Sequence, residues 1–220
     1  VGINTRSVFL TRVCVKTFAT LNPRRITLKT SPQTEPDIRQ RIWMELQRAT
    51  QDRHHEWRTP VLATVSADGL PQARSVVLRH ADAKLGTLQI YTDGRSPKVA
   101  ELAFKPVLML AFWSKRLNWQ LRVKASVSVQ HKGPEVDSVW ARVSQSHAAG
   151  DYLSARAPGD LLQSAAVDAE PALASSPLPS PSHNLAIITA QVQSIDWLEL
   201  SREGHRRAVF QDQAWEWRVA

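Results

Sequence analysis

The sequence predicts a mostly β protein with peripheral helices (α+β), whose short strands meander and curl into a barrel. Three observations carry that prediction. Short runs rich in Val, Ile, Leu and aromatic residues recur from residue 60 to the C-terminus. Tight-turn signals separate them, among them Ala67-Asp68-Gly69 and the stretch 81–86. Helical spacing is confined to segments near 36–53, 96–105 and 134–156. Strands joined by such turns close naturally as a meander barrel.

The first helix is read from Ile38, Ile42, Trp43, Leu46 and Ala49, with Pro36 suited to its first turn and Asp37 near the positive end of its dipole. Strands follow at 60–66, 71–80 and 87–92. Ser96 and Pro97 then occupy the N-cap and N1 positions of a helix that stops before Pro106. Segments 106–113 and 118–130 form a hairpin, and Val136, Val139, Trp140 and Val143 mark a further helix. Residues 157–184 hold Pro158, Pro171, Pro177, Pro179 and Pro181 among Ala and Ser, and read as a loop. Strands at 185–200, 205–211 and 214–220 complete the sheet. The expected organisation is a basic N-terminal extension, 1–34, and one domain, 35–220, with a long excursion before its last strands.

The net charge of +8 invites a nucleic-acid reading, but its distribution argues against one. Residues 1–34 hold six cations and no acid, which leaves 22 basic and 20 acidic side chains in the remainder. The body is nearly neutral. The basic stretch reads as a disordered leader, with a transit peptide or a nucleic-acid arm as alternatives. The expected location is therefore cytoplasmic, or organellar if residues 1–34 are a transit peptide. The single cysteine, Cys14, excludes an internal disulfide. No apolar run approaches the roughly 18 residues of a membrane span, so no membrane partner is expected. His54 and His55 are adjacent and point apart, and no metal site is expected.

Four clusters carry chemistry. Arg74 and Arg79 flank Ser75, Val76, Val77 and Leu78, as though a core strand were clamped by a guanidinium at each end. In one regular strand the two arginines face opposite sides, so they serve a single anion only if a bulge re-aims one. Tyr91, Thr92, Arg95, Ser96 and Lys98 gather hydroxyls and cations at a helix N-terminus, where free N–H groups favour an anion. Gln120 offers a donor and an acceptor to a ring edge. Trp197 and Arg207 offer an aromatic face and a guanidinium. Taken singly, each cluster also fits a capped helix, a core tryptophan or solvated charges.

The order RSVVLR, YT-x3-S-x-K, FW-x6-Q and W-x9-R resembles the pyridoxamine 5'-phosphate oxidase-like FMN-binding proteins over residues 36–220, with a poor match at 157–184. The resemblance implies a split β-barrel and a homodimer with FMN at its interface. It implies that Arg74, Ser96 and Lys98 bind the FMN phosphate, with Arg95 standing in for an arginine that the family places where this chain has Pro97. Ser75 to Arg79 would lie along the isoalloxazine ring, with Arg79 at its reactive edge. Tyr91 and Thr92 would border the ring and ribityl chain, and Gln120 its pyrimidine side. Trp197 and Arg207 would close the site from the partner subunit. Arg156 falls where the family usually carries Gln.

The resemblance further implies an oxidoreductase passing hydride through flavin N5 to or from a small molecule, with Arg79 as its catalytic residue. A non-catalytic flavin- or haem-binding module on the same fold is the alternative. Two departures bear on substrate. The oxidases carry Lys where this chain has Arg79, and their phosphate-gripping Arg-Leu-His reads Glu203-Gly204-His205 here. A carboxylate there repels a phosphate, so turnover of pyridoxine or pyridoxamine phosphate is expected to be slight. His205 reads as a satisfied strand histidine, with a proton donor as the alternative.

Overall fold

The computed structural model describes residues 1, 34–161, 183–211 and 214–220. The fold lies in the compact unit Pro32–Ala220. The expected extension at 1–34 and most of the expected loop at 157–184 fall outside the described residues.

Helix α1 (Glu35–Gln51) is followed by a 3-10 turn, Glu56–Arg58. Next come β1 (Val61–Val65), β2 (Pro71–Ser75), β3 (Leu78–Asp82) and β4 (Thr87–Asp93). Helix α2 (Pro97–Phe104) leads into the hairpin β5 (Val107–Ser114) and β6 (Trp119–Gln130). Helix α3 (Pro134–Val143) and a 3-10 turn (His147–Tyr152) precede β7 (Leu185–Glu199), β8 (Arg206–Gln211) and β9 (Ala214–Arg218). The segment expected as one helix over 134–156 is thus a helix and a separate turn.

One expected strand, 71–80, is two strands. The sheet runs β2-β1-β5-β6-β7-β4-β3, so β2 and β3 lie at opposite ends of the order. Yet only Val76 and Val77 separate them in sequence. In a flat sheet six strand spacings would hold them about 29 Å apart. The chain from Ser75 to Leu78 spans at most about 11 Å. The sheet must therefore curl until its edges meet, and the Val76-Val77 link closes the barrel. The Val76 N–H donates to the Pro60 carbonyl at 3.0 Å and ties the link to the start of β1.

The long strand β7 splits this barrel. Leu185 to Gln191 pair with β4, whereas Ser194 to Glu199 pair with β8. A register shift opposite Lys124/Ala125 separates the halves. The C-terminal hairpin β8–β9 branches off there.

Alternation sets the interior. Leu62, Leu78, Ile90, Leu110, Phe112, Leu121 and Trp197 are buried in one core, sealed at one end by Ile38, Ile42 and Leu46 of α1 and by Trp57. A smaller cluster covers the outer face of β4 and β7, where Val136 and Val139 of α3 meet Tyr152, Leu185 and Ile187 beside Tyr91. Strand β7 is buried on both faces there, which is why "LAII" shows no alternation.

Glu45 is a buried carboxylate on the inner face of α1. His55 Nε2 lies 2.9 Å from it, Arg41 at 2.8 Å, and Arg116 of the β5–β6 turn also binds it. Burial pushes its pKa up, but the His55 hydrogen bond and the charges of Arg116, Arg41 and Arg48 outweigh that, leaving it below the usual carboxylate value. This cluster fastens α1 to the hairpin that carries Gln120.

Candidate cofactor site

Arg74 sits on β2 opposite Leu62, a buried residue of β1, and so points to the inner side of the sheet. Its guanidinium donates to Glu101 Oε2 of α2 at 2.8 Å and to the Thr64 hydroxyl of β1. Thr64 in turn donates to Glu101. From the other side of the closure comes Thr92, an inward residue of β4. Lys98 Nζ donates to Thr92 Oγ1 at 3.0 Å, and Ser96 Oγ lies 3.2 Å from the same oxygen. Ser96 is the N-cap residue of α2, yet its side chain makes no capping bond. Its hydroxyl joins the cluster instead.

Arg74 of β2 and Lys98 of α2 thus lie close enough to act on each other's charge, Lys98 beside the Thr92 and Ser96 hydroxyls and Arg74 beside Thr64. Burial pushes the Lys98 pKa down and the nearby Arg74 charge pushes it further, against the weaker pull of Asp93 and Glu101. A half-buried ammonium close to a guanidinium favours an anion between them. Thr64 and Glu101 escaped the sequence reading. Glu101 had a signal: it follows Lys98 by three residues, on the same helix face. Thr64 had none, because only the β1–β2 pairing brings it to Arg74.

The turn before α2 is built for close approach. A Cβ on Gly94 would sit 2.6 Å from the ring of exposed His131, which would have to swing aside to admit it. Arg95, expected to help the phosphate, is committed elsewhere. It pairs with Asp93 at 2.7 Å and donates to the carbonyls of Ser154, Ala155 and Arg156 at 2.9, 3.1 and 3.0 Å. The buried Asp93, two residues back, holds the guanidinium through this ion pair. Arg156 enters this clasp through its carbonyl.

Arg79 lies on the other side of the sheet from this cluster. It is the bulged residue of β3, between the pairs Leu78–Ile90 and His80–Gln89. Its guanidinium carbon stands 5.9 Å from the ring centroid of Tyr91, and its Nε is buried without a partner. Ser75 faces outward beside exposed Val61, Val76 and Leu78 are buried, and Val77 is half-buried at the closure.

Of the remaining expected residues, Gln120 and Arg207 belong to a separate row. Trp113, Gln120, Leu198 and Arg207 are consecutive cross-strand partners on the outer face of β5, β6, β7 and β8. Arg207 pairs with Asp196 at 2.8 Å. Trp197 does not join them. Its neighbours Leu121 and Ala208 place it on the inner face, where it is 0% exposed and packs edge-on against Trp119 at 5.2 Å. The W-x9-R spacing puts its two members on opposite faces of one hairpin. His205 is exposed, and its Nδ1 accepts the Ser201 N–H at 3.2 Å.

The family model described as pyridoxamine 5'-phosphate oxidase, FMN-binding domain, matches residues 40–131. The pyridoxine/pyridoxamine 5'-phosphate oxidase of Azorhizobium caulinodans is 34% identical over 153 residues, 68% of this chain and 71% of that protein. The Myxococcus xanthus protein of the same name is 30% identical over 152 residues, 67% of this chain and 72% of its own. This chain belongs to the pyridoxine/pyridoxamine 5'-phosphate oxidase family. The Thermosynechococcus vestitus member is 37% identical over 105 residues, a match spanning only 48% of its length. Among solved structures, a pyridoxamine 5'-phosphate oxidase-related FMN-binding protein of Nostoc punctiforme superposes with a TM-score of 0.60 at 21% identity, covering 83% of this chain and 96% of that one. PhzG of Burkholderia lata gives 0.62 at 18% identity, covering 85% and 92%. Both share the split-barrel fold.

FMN is the family's cofactor, and the residues present fit it. A phosphate monoester carries a charge of about −1.5 to −2 near neutral pH. The Arg74–Lys98 cluster offers two cations and the Thr92 and Ser96 hydroxyls, beside the carboxylates of Glu101 and of Asp93, the latter paired with Arg95. The Arg79 Nε–H lies at the bulge, buried without a protein acceptor.

Proposed function

We propose that this protein is an FMN-dependent oxidoreductase that acts as a homodimer on a small molecule. The approach of Arg74 to Lys98, which stands beside Thr92 and Ser96, is the observation that carries the reading. These residues would hold the cofactor phosphate, and the depressed Lys98 pKa means that an arriving anion relieves a charge conflict already present. Bound FMN would supply hydride transfer through its ring. Arg79 is permanently cationic, so it orients anions and stabilises negative charge but never acts as a base. Tyr91, under the Arg79 guanidinium, also lines a groove of about 350 Å³ with His80, Glu135, Ser138 and Arg142, which offers room for a small substrate although Arg79 itself does not line it.

The separation of the expected residues supports the dimer: Gln120 and Arg207 stand in a row on β6 and β8, apart from the Arg74–Lys98 cluster, and a second copy would bring such a row to the same ligand. Trp113 of the outer row and nearby Met109 and Val61 are exposed by 46, 37 and 42%. An apolar face beside half of a polar site suits a second copy of the chain. The test is the absorbance spectrum of the purified protein, identification of the released chromophore, and turnover with an electron donor and acceptor. A flavin spectrum with steady turnover is expected. Flavin without turnover would leave a carrier, and a colourless protein that takes up no FMN would refute the assignment.

A further inference from the structure

A second groove is walled by α1, the β3–β4 turn, β7 and β8, and no residue of the Arg74–Lys98 cluster lines it. It holds about 330 Å³. That is the low end for ligand pockets, which run from about 300 to 1,000 Å³. Its place follows from the split in β7. Ala125 pairs with Val192 and Lys124 with Ser194, so Gln193 is an extra residue in the strand. Such a bulge bends a strand and re-aims its side chains. The groove opens there, where β7 parts from β4 and takes up β8.

The turn at its edge is held in shape. The Gln191 side-chain amide donates to the Leu85 and Gly86 carbonyls at 2.9 and 3.3 Å, and the Val192 N–H donates to the Gly86 carbonyl at 2.9 Å. The Asp82 carboxylate accepts the Lys84 and Leu85 N–H groups at 2.8 and 2.9 Å and is thereby engaged within the turn.

The lining combines two chemical characters. Trp43, Leu85 and Phe210 supply apolar and aromatic surface, and Leu85 is 67% exposed. Arg39 and Lys84 supply two cations, and no carboxylate is among the described lining residues. The Arg39 guanidinium carbon stands 5.4 Å from the ring centroid of Phe210. Its ion pair with Glu35 is long, 3.4 Å, and both side chains are 38% exposed, so that pair holds it weakly. A guanidinium resting on an aromatic face with a loose acidic partner suits a second, planar anion.

We propose that this groove is a binding site for a small aromatic carboxylate, with Arg39 and Lys84 taking the charge and the ring lying among Trp43, Leu85 and Phe210. A bare inorganic anion leaves the aromatic surface unused, and a neutral ring leaves the cations unused. The site stands independently of the FMN reading. Leu85 also lines the groove that contains Tyr91, so the bound carboxylate touches the turn that borders the proposed substrate space.

The test uses the full chain, flavin-free and again with FMN added, and three probes at fixed ionic strength: benzoate, benzamide and inorganic phosphate. Binding is followed by NMR on the indole N–H of Trp43, assigned with Trp43→Phe. Benzoate moves that signal saturably, with or without FMN. Benzamide has the shape without the charge and phosphate the charge without the ring, and each binds at least about tenfold more weakly. Arg39→Gln and Lys84→Gln each weaken benzoate about fivefold, the upper end for an exposed ion pair, and together about 25-fold. Unchanged thermal unfolding verifies that the variants are folded. A stationary Trp43 signal, benzamide or phosphate bound as tightly as benzoate, or an unaltered benzoate affinity in the double variant overturns the proposal. A protein that takes benzoate here but no FMN upholds this site and refutes the proposed function; uptake of FMN without benzoate does the reverse.

Discussion

Replacing Lys98 by Ala separates a cofactor-holding lysine from a structural one. In the flavin-free protein its ammonium is disfavoured by burial and by Arg74. Its folded pKa therefore lies below the unfolded value near 10.5, and the unfolded chain binds more protons between the two. Wild-type stability rises with pH across that window, and in Lys98→Ala the rise is absent. At neutral pH the variant is no less stable than the wild type, apart from the small loss of the Thr92 hydrogen bond. With FMN present the order reverses. A hydrogen bond to a charged group is worth about 1.5–3 kcal/mol, so FMN affinity falls roughly tenfold to 150-fold. The assays are flavin fluorescence titration and thermal unfolding with and without FMN. A variant that binds FMN as tightly as the wild type but melts earlier would refute the reasoning, because Lys98 would then be a brace for the α2 turn.

Further outcomes are expected. Glu45→Ala strips the buried partner from His55, Arg41 and Arg116; because both arginines are about 40% exposed, the loss in urea unfolding falls at the low end of the range for broken buried pairs, about 3 kcal/mol. The Glu45 pKa is depressed, so its contribution is present above the usual carboxylate range and is lost as the pH falls through the folded value. Trp113→Glu places a charge in the exposed apolar row and shifts the protein to monomer in sedimentation, with weaker FMN binding; a dimer of unchanged affinity would remove this face from the interface. If the resemblance is right to align Glu203 with the family's phosphate-gripping arginine, oxygen uptake with pyridoxine 5'-phosphate is slight and Glu203→Arg raises it; brisk turnover by the unaltered protein would discount that carboxylate.

Much of the fold is legible from local pattern. Apolar alternation marks β1, β5 and β6, and Ser96-Pro97 marks the start of α2, because burial periodicity and helix capping act within a few residues. The cationic residues of the phosphate cluster are legible too, since Arg74 and Lys98 each stand in a short polar motif. What the sequence did not reveal depends on partners far along the chain. Residues 71–80 look like a single strand, and only the joining of opposite sheet edges breaks them at Val76-Val77. Arg95 looks free until Asp93 and the 154–156 carbonyls claim it. Trp197 and Arg207 look like a pair until strand parity sends one inward and the other outward.

Composition and spacing by themselves determined a β-rich chain with a near-neutral body and two cationic motifs flanking hydroxyls. Tertiary structure alone decided which of those groups meet. Side-chain direction follows strand register, and register is set by long-range pairing and by bulges such as the one at Arg79. A shift of one residue would turn Arg74 away from Thr64 and Glu101, and no local pattern records that choice.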